Sequence, residues 1–418
     1  MPKIANILIL GAGDSTRFWP LQDKVLFSFL GKPLIQHVVE GVAPFAGKIF
    51  VVTDQAKKQI ITKLFGKKVE VITQSAGKQS QAKAVLAAKA IKGEVLVLAG
   101  SELFDFNLLK QFASKIEERR IDALFLAKEF NHYFPGGYLK MDNNKITAIV
   151  EKPHPNALPS NKVKLVVDYI ANWQLFLSCL QNVEGTNSED LYERGLNLYI
   201  RQSKKVDYLL TPDVWPLKYP WHVLPLMHHF LAQIKRKRTG KRVQISSKAL
   251  LVPPVYLGGN VKIGNFAKIV GPCFIDEDTI IGDYAMVRES HIGKNCLVGG
   301  YSEVTRSYLG EDVSLHRNYV GDSVLDKGSL MGGGATIANF RFDGKTVKSS
   351  VGDDKIDTHL LKFGAILGEG VKIGVNSVVL PGVKIGKHTF LSPGKVAEKD
   401  IEDNMFIFKD EVRKNKEI

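Results

Sequence analysis

Two hydrophobic rhythms divide the chain. Over residues 1–234 short apolar runs alternate with amphipathic stretches. The runs ANILIL, KIFVVT, VEVIT, EVLVLAG and DALFLA have the length and aliphatic content of buried strands. Between them Pro33–Val42, Gln55–Phe65, Gln79–Ile91 and Asn107–Glu118 carry apolar residues at helical spacing, and a further helix is predicted over about Leu226–Ile234. Strand–helix alternation predicts a Rossmann-like α/β domain, its sheet covered on both faces and its ligands at the carboxyl ends of the strands.

In the back half the period becomes six. Ile263, Ile269, Ile275, Ile281 and Val287 follow one another at that spacing, as do Ile292, Val298 and Val304, and again Ile373, Val379, Ile385 and Leu391. Glycine often follows the aliphatic residue, as at Ile281-Gly282 and Ile385-Gly386. A six-residue aliphatic repeat predicts a parallel β-helix of hexapeptide repeats, three short faces making a coil of about 18 residues. The segment Asn339–Lys362 breaks the period and is expected to leave the coil as a loop, a common place for function. The resulting division is 1–234 for the α/β domain, 235–245 for a basic linker, 246–400 for the β-helix and 401–418 for a charged tail.

Composition narrows the function classes. The 418 residues are 44% hydrophobic and 24% charged, which excludes a disordered or collagen-like chain. No apolar run approaches the ~18–20 residues that span a bilayer, and ILIL runs into a Gly-rich turn as a strand does, so no membrane partner is expected. Cys179, Cys273 and Cys296 lack metal spacing, suit a reducing cytoplasm and are expected in the core. The net charge of +14 resolves into +8 for residues 1–234, +6 for KRKRTGKR at 235–242 and zero beyond. Such a front half fits a phosphate-bearing ligand, and also nucleic acid. The eight basic-run residues have no interleaved aromatics and read as a solvated linker, so no nucleic-acid partner is expected.

The first strand ends in Gly11-Ala12-Gly13-Asp14-Ser15-Thr16-Arg17, followed by Trp19-Pro20-Leu21, Lys24 and Gly31-Lys32-Pro33-Leu34. A Gly-rich turn there lets backbone N–H groups approach a phosphate, with Arg17 and Lys24 adding charge. Read as a whole, this run resembles the signature of sugar-1-phosphate nucleotidylyltransferases, over about residues 3–232. The resemblance implies nucleotide- and sugar-binding roles for Gly11, Ala12, Gly13, Arg17, Lys24, a base-reading Gln74, Glu151 and Lys152 of the Glu-Lys-Pro motif, and a sugar-contacting Asn172. It also implies Mg²⁺ and a nucleoside triphosphate wherever that activity is present. Two metal positions depart from the family: its Gly-Asp is Gly100-Ser101 here, and its second Asp falls on Pro216. Proline offers no side-chain donor, so the metal site is unassigned, Glu102 and Asp105 being the substitutes within reach. The front domain is therefore expected to be altered or inactive as a transferase.

Ser314-Leu315-His316-Arg317-Asn318-Tyr319-Val320-Gly321-Asp322 precedes Gly332-Gly333-Gly334-Ala335-Thr336-Ile337-Ala338-Asn339, then Arg341-Phe342-Asp343, Lys345 and Lys348. A His titrating near neutrality can take the proton of an attacking amine, although a lone His on a β-helix is by default a surface residue. The run resembles the acetyltransferase half of bifunctional glucosamine-1-phosphate acetyltransferase/N-acetylglucosamine-1-phosphate uridylyltransferases of archaeal type, over about residues 245–400. That resemblance implies a left-handed coil, His316 as base, Tyr319 and Asn339 holding or orienting the amino sugar, and Lys345 and Lys348 facing substrate phosphate. It further implies acetyl-CoA along the later coils, near Gly364-Ala365, Gly368 and Gly382, and a homotrimer. Spacing adds an argument of its own: Arg288 and Arg306 are 18 residues apart, which predicts two guanidiniums one strand spacing (~4.8 Å) apart and an anion between them.

The expected function is acetyl transfer from acetyl-CoA to an amino-sugar 1-phosphate. The alternative is a non-catalytic regulatory subunit, a role that chains of this two-part type also fill in translation-initiation exchange factors.

Overall fold

The apolar run Ile4–Leu10 forms the first strand (β1), fully buried at Ile7, Leu8 and Ile9, because parallel neighbours cover both its edges and helices cover the sheet. The computed structural model describes residues 3–13, 15–75, 80–131, 133–143, 145–183, 190–408 and 411–414. Further strands follow at Ala46–Thr53 (β2), Glu70–Thr73 (β3), Val95–Ala99 (β4), Ala123–Glu129 (β5), Gly137–Asp142 (β6), Lys145–Glu151 (β7), Lys162–Ile170 (β8) and Val206–Leu210 (β9). Among the described residues they make a nine-stranded mixed sheet, ordered β7-β6-β8-β4-β1-β2-β3, with β5 joining β8 to β9. Helices Leu34–Val42 (α1), Gln55–Phe65 (α2), Gln81–Ala87 (α3) and Leu108–Arg119 (α4) lie close to their expected places; Gln79, the expected start of α3, lies outside the described residues. Trp173–Val183 (α5) and Leu191–Gln202 (α6) put Trp173, Phe176, Tyr192 and Tyr199 into one core cluster.

The back half is a left-handed parallel β-helix. Its three faces are sheets of eight, ten and eight strands among the described residues, and its axis is filled by the predicted aliphatic positions. Each fully buried Ile, Val or Leu contributes roughly 1.5–3 kcal/mol relative to exposure. The coil is not uniform. Partners are 18 residues apart at Lys268↔Met286, 17 apart at Met286↔Glu303 and 16 apart at Glu303↔Tyr319. Five-residue steps such as Val287 to Ile292 cause the shortening. Further on, Val324 pairs with Ile366, so Asn339–Lys362 leaves the coil as expected. That loop carries an antiparallel hairpin, Lys348–Val351 with Asp354–Asp357, pinned where Ser349 Oγ donates to the Gly382 carbonyl at 2.9 Å and Lys384 Nζ donates to that of Ser350 at 2.6 Å.

Three boundaries differ from those read off the sequence. The basic segment is no linker: Arg238–Thr239 and Gln244–Ile245 already pair with the next coil. The tail is partly built in, since Met405–Phe408 extends one face and Glu411–Lys414 pairs back on it. The compact units interleave, the first being Met1–Asp14 with Leu34–Pro216 and the second Ser15–Pro33 with Leu217–Ile418.

Within the second unit Ser15–Pro33 lies as a strap along one face of the β-helix. Tyr256, Phe274, His291 and Tyr308 stand in register on that face and stack at 4.8, 4.9 and 4.5 Å between ring centroids. The strap covers them. Phe27 lies against Tyr308 at 4.8 Å, Tyr308 OH donates to the Ser28 carbonyl, and the Leu30 N–H donates to His291 Nε2. Further along, Trp19 Nε1 donates to Asp403 and Gln22 donates to Glu369, while Phe29 stacks on Phe230 of helix Val223–Leu231 (α7).

Candidate functional site

The carboxyl ends of β4, β1, β2 and β3 share one edge of the first unit, which brings Gly11–Gly13, Gly100 and Gln74 to the same level. Gly100 N–H donates to Leu10 O, Gly11 N–H to Val52 O and Gln74 N–H to Thr53 O, at 2.9, 2.7 and 2.8 Å. A side chain at Gly11 would meet Ile35 and Val52 at 3.2 Å, whereas Gly13 faces open space and Ala12 packs on the core. Gln74 is 4% exposed, and among the described residues neither its amide oxygen nor its nitrogen has a partner; Thr53 Oγ1 is likewise buried and unpartnered among them. Buried polar atoms left unpaired cost about 1–3 kcal/mol each, so this edge is shaped for a ligand with donors and acceptors of its own. Arg17 and Lys24 belong to the strap of the second unit, where burial and the neighbouring Arg17 push the Lys24 ammonium down to about 8.

Glu151 and Lys152 end β7 at the same edge: Glu151 is in register with Gly137, which is in register with Lys164. Asn172 is not there. Strand β8 runs antiparallel to β4 and its end, Ile170, meets Val95, so Asn172 emerges at the opposite edge. It caps α5, its Oδ1 accepting from Leu175 N–H at 3.1 Å. What stands at the site level of β8 is a buried ion pair. Lys164 Nζ lies 2.8 and 3.1 Å from the Asp168 carboxylate, to which Tyr192 OH also donates at 2.8 Å. Burial opposes the charge on Lys164, but Asp168 holds its ammonium protonated above the ordinary lysine value. Beside it burial pushes the Glu193 carboxyl up to about 7, against the pull of Lys164.

The metal positions fit a divalent cation poorly. In the ribbon formed by Glu102–Phe104 and Val214–Pro216, Glu102 lies opposite Pro216, which has no donor, and the Glu102 carboxylate accepts from Val166 N–H at 3.3 Å. Asp105 turns onto its own chain, accepting from Asn107 N–H at 3.0 Å. Among the described residues no three His, Cys, Asp or Glu side chains converge as a metal site.

In the second unit the turn bearing His316 is one residue shorter than the turn of the preceding coil. Val298 and Glu303 are in register with Leu315 and Tyr319, so four residues are matched by three. Asn318 closes the shortened turn. It is 3% exposed, accepts from His316 N–H at 2.5 Å and donates to the carbonyls of Gly332 and Ala335 at 2.8 and 2.9 Å. The imidazole of His316 is exposed, 3.5 Å from Ser314 Oγ, and lines an open pocket of about 480 Å³ with Gly299, Gly300, Arg317, Gly333, Gly334 and Asn376.

Tyr319 and Asn339 meet on the adjoining face. A side chain at Gly321 would lie 2.5 Å from Asn339 Nδ2 and 2.7 Å from Tyr319 OH, so both groups rest over bare backbone. The predicted arginine pair is not in register: the 17-residue coil aligns Arg288 with Thr305 and puts Arg306 on the corner beyond. Arg306 is forked onto Asp322 at 2.6 and 2.8 Å, while Arg288 donates to Thr305 Oγ1 at 3.1 Å and reaches Glu303 only at 3.5 Å. Lys345 and Lys348 are exposed on the ejected loop. Ala365 is not a surface position; its methyl is fully buried in the axial core. Gly364 packs under Ser323, Gly382 under Lys348, and Gly368 against Lys387 and Pro20, so these glycines present no open track on the coil.

Comparison with known proteins fits this division. A nucleotidyl transferase model matches residues 6–216, half of the chain. The chain belongs to the nucleotidyl transferase family. Behind that part, a GMPPB C-terminal domain model matches residues 236–341 and a bacterial transferase hexapeptide model matches 364–396. The chain is 26% identical to the bifunctional protein GlmU of Methanococcus vannielii, over 97% of each protein. It is 28% identical to a bifunctional sugar-1-phosphate nucleotidylyltransferase/acetyltransferase of Sulfurisphaera tokodaii, over 94% of this chain and 97% of that one. Among solved structures, an apo UDP-glucose pyrophosphorylase is 17% identical with a TM-score of 0.48, covering 55% of this chain and 99% of that one. No helix among the described residues is long and apolar enough to cross a membrane.

For this member of the nucleotidyl transferase family, sequence reading missed Lys164, Asp168, Asn318 and Asp322. Charges at Lys164 and Asp168, within the run of apolar residues that follows Lys162 in the strand KVKLVVDYI, were the available signal for the first pair. Four residues apart on a straight strand they would stand ~13 Å apart. The register slips between Lys164 and Asp168 against β5, and this irregularity brings them into contact.

Proposed function

We propose that this chain transfers the acetyl group of acetyl-CoA to the amine of an amino-sugar 1-phosphate, with a front domain altered in, or without, nucleotidyl transfer. The observation that carries the reading is His316, exposed at a glycine-lined pocket while Asn318 fixes its backbone. There an unprotonated imidazole can take a proton from the amine as the nitrogen attacks the thioester carbonyl. The N–C bond forms, the C–S bond breaks, and the proton passes on to the departing CoA thiolate. Tyr319 and Asn339 are the groups for the amino sugar, and Arg288, Lys345 and Lys348 the cations for its phosphate. The thioester of acetyl-CoA is assigned to the pocket beside Gly333 and Gly334, which His316 also lines.

For the front domain, the buried Lys164–Asp168–Tyr192 network and the donorless Pro216 speak against Mg²⁺-assisted turnover. Gln74 and Thr53, unpartnered among the described residues, speak for retained binding of a nucleobase or similar planar group. Those features also favour the second reading, in which the front domain is a regulatory ligand-binding module. A homotrimer, as the GlmU-type likeness implies, would cover the exposed Phe340, Phe342 and Leu361 of the ejected loop.

The test is a pair of assays on the purified chain. CoA release is measured with acetyl-CoA and glucosamine- or galactosamine-1-phosphate, and pyrophosphate release with UTP or dTTP, Mg²⁺ and sugar 1-phosphates. The reading expects CoA release that depends on the amino sugar; its absence would sink acetyl transfer, and brisk pyrophosphate release would sink the altered front domain.

A further inference from the structure

We propose that Asp322 is a positioning residue that divides the acceptor site into an amine end and a phosphate end, an inference that rests on the acetyl-transfer reading above. Its side chain is 8% exposed and fully engaged. Both carboxylate oxygens take the Arg306 guanidinium as a fork, at 2.6 and 2.8 Å, and Oδ2 also accepts from Asn339 Nδ2 at 2.5 Å. The backbone dictates this placement. Asp322 sits on a coil corner at φ 48, its N–H donating to the Thr305 carbonyl, with Gly364 N–H bonded to its own carbonyl.

Two consequences follow from the chemistry of a carboxylate. Having no proton to give, it can face only the nitrogen of the Asn339 amide, so the amide oxygen is turned away from it. That oxygen becomes a fixed acceptor on the side away from the carboxylate, suited to the N–H groups of an amine. The same carboxylate neutralises Arg306 through a charge-assisted fork, which removes that guanidinium from competition for anions. Arg288 shares the Thr305 hydroxyl with Arg306, each at 3.1 Å, but its only carboxylate neighbour among the described residues is Glu303 at 3.5 Å, so its charge remains with the loop lysines for the phosphate. The phosphate is thus kept from binding at Arg306, where it would stand against Asn339 and displace the amine.

The experiment compares the full chain with Asp322→Asn and Asp322→Glu. CoA release is followed with glucosamine 1-phosphate, inorganic phosphate binding by calorimetry, and folding by thermal melting. Asp322→Asn frees both Arg306 and the Asn339 amide. It is expected to lower kcat about 10–100-fold, the usual cost of losing a group that orients a ligand-contacting residue, with KM for acetyl-CoA unchanged. Phosphate affinity is expected to rise about threefold or more as one guanidinium is released. Asp322→Glu keeps the fork but displaces Asn339, so kcat falls without tighter phosphate binding; it also serves if the Asn variant does not fold. In an Asn339→Ala background Asp322→Asn should change kcat less than about twofold, because coupled residues are not additive. A kcat within twofold of the unsubstituted chain, or an equal loss in both backgrounds, overturns the proposal. If the unsubstituted chain releases no CoA, the acetyl-transfer reading falls first. Phosphate affinity then decides the role of Asp322, and an unchanged value in Asp322→Asn overturns it.

Discussion

The front and back halves each bury an ionic pair at the level of their site, and they use it in opposite ways. Lys164 and Asp168 are 2% and 0% exposed and close on one another, with Tyr192 completing the carboxylate. Arg306 and Asp322 are 24% and 8% exposed, and their pair extends to Asn339, a residue that faces outward. A buried pair satisfied from within occupies space; one that passes its hydrogen bonding on to a surface amide shapes a site. In the front half the polar atoms still held in reserve among the described residues are at Gln74 and Thr53, at the opposite flank of the sheet edge from Lys164. One flank of that edge keeps the character of a binding site, and the other is filled by side chains.

The sharpest way to break this contrast is His316→Ala. Loss of a general base should lower kcat for CoA release by roughly 10²–10⁴-fold and leave nucleotide binding by the front half unchanged, as read by calorimetry. Next is Lys164→Met, which leaves Asp168 buried without its cation. Breaking a buried pair on one side costs about 3–5 kcal/mol, so urea denaturation should show a large loss while CoA release by the folded fraction persists.

The third lies under the strap. His291 is 3% exposed, and burial pushes its imidazole down to about 4 from an ordinary 6.5. It accepts the Leu30 N–H at Nε2, so the folded state prefers the neutral ring. Between those two values the unfolded chain binds the extra proton, and stability therefore rises with pH across this window. It is fully present above about 6.5 and declines by up to about 3 kcal/mol as pH falls toward 4. His291→Leu should remove that part of the slope, read as the difference between the two proteins' unfolding free energies at each pH. The smallest effect is Asn172→Ala. As a helix cap its loss should cost about 1 kcal/mol of stability with no change in ligand affinity, whereas a sugar ligand would show the reverse.

Much of the fold was legible because apolar periodicity survives in sequence. The helical spacing of Gln55–Phe65 and the six-residue steps from Ile263 to Val287 both correspond to the elements observed. Register was not legible. The five-residue step at Val287–Ile292 shortens the coil and puts Arg306 one position out of register with Arg288, although both guanidiniums still reach the Thr305 hydroxyl at 3.1 Å. Motif matching placed Asn172 by the residue type it expected. The antiparallel run of β8 against β4 puts it at the wrong edge, and strand direction is a tertiary fact. His316, Tyr319 and Asn339 could be singled out as candidates because their motif is local. Asp322 lies in the same stretch, but its value comes from Arg306 one coil earlier and Asn339 one coil later. The aromatic ladder carried an overlooked signal, since Tyr256, Phe274, His291 and Tyr308 each precede an inward aliphatic residue, an outward position that should be polar if it met water.

The strap has a practical consequence for anyone who would dissect the molecule. A cut near residue 234 follows the change of rhythm in the sequence, yet it removes Ser15–Pro33 from the surface on which it rests. The amino-terminal fragment would carry Phe27 and Phe29 without Tyr308 to receive them. The carboxyl-terminal fragment would show water a column of stacked rings, the kind of apolar patch that drives aggregation. Domain-by-domain expression would therefore report on damaged pieces. The two halves are better told apart by point substitution in the intact chain than by scission.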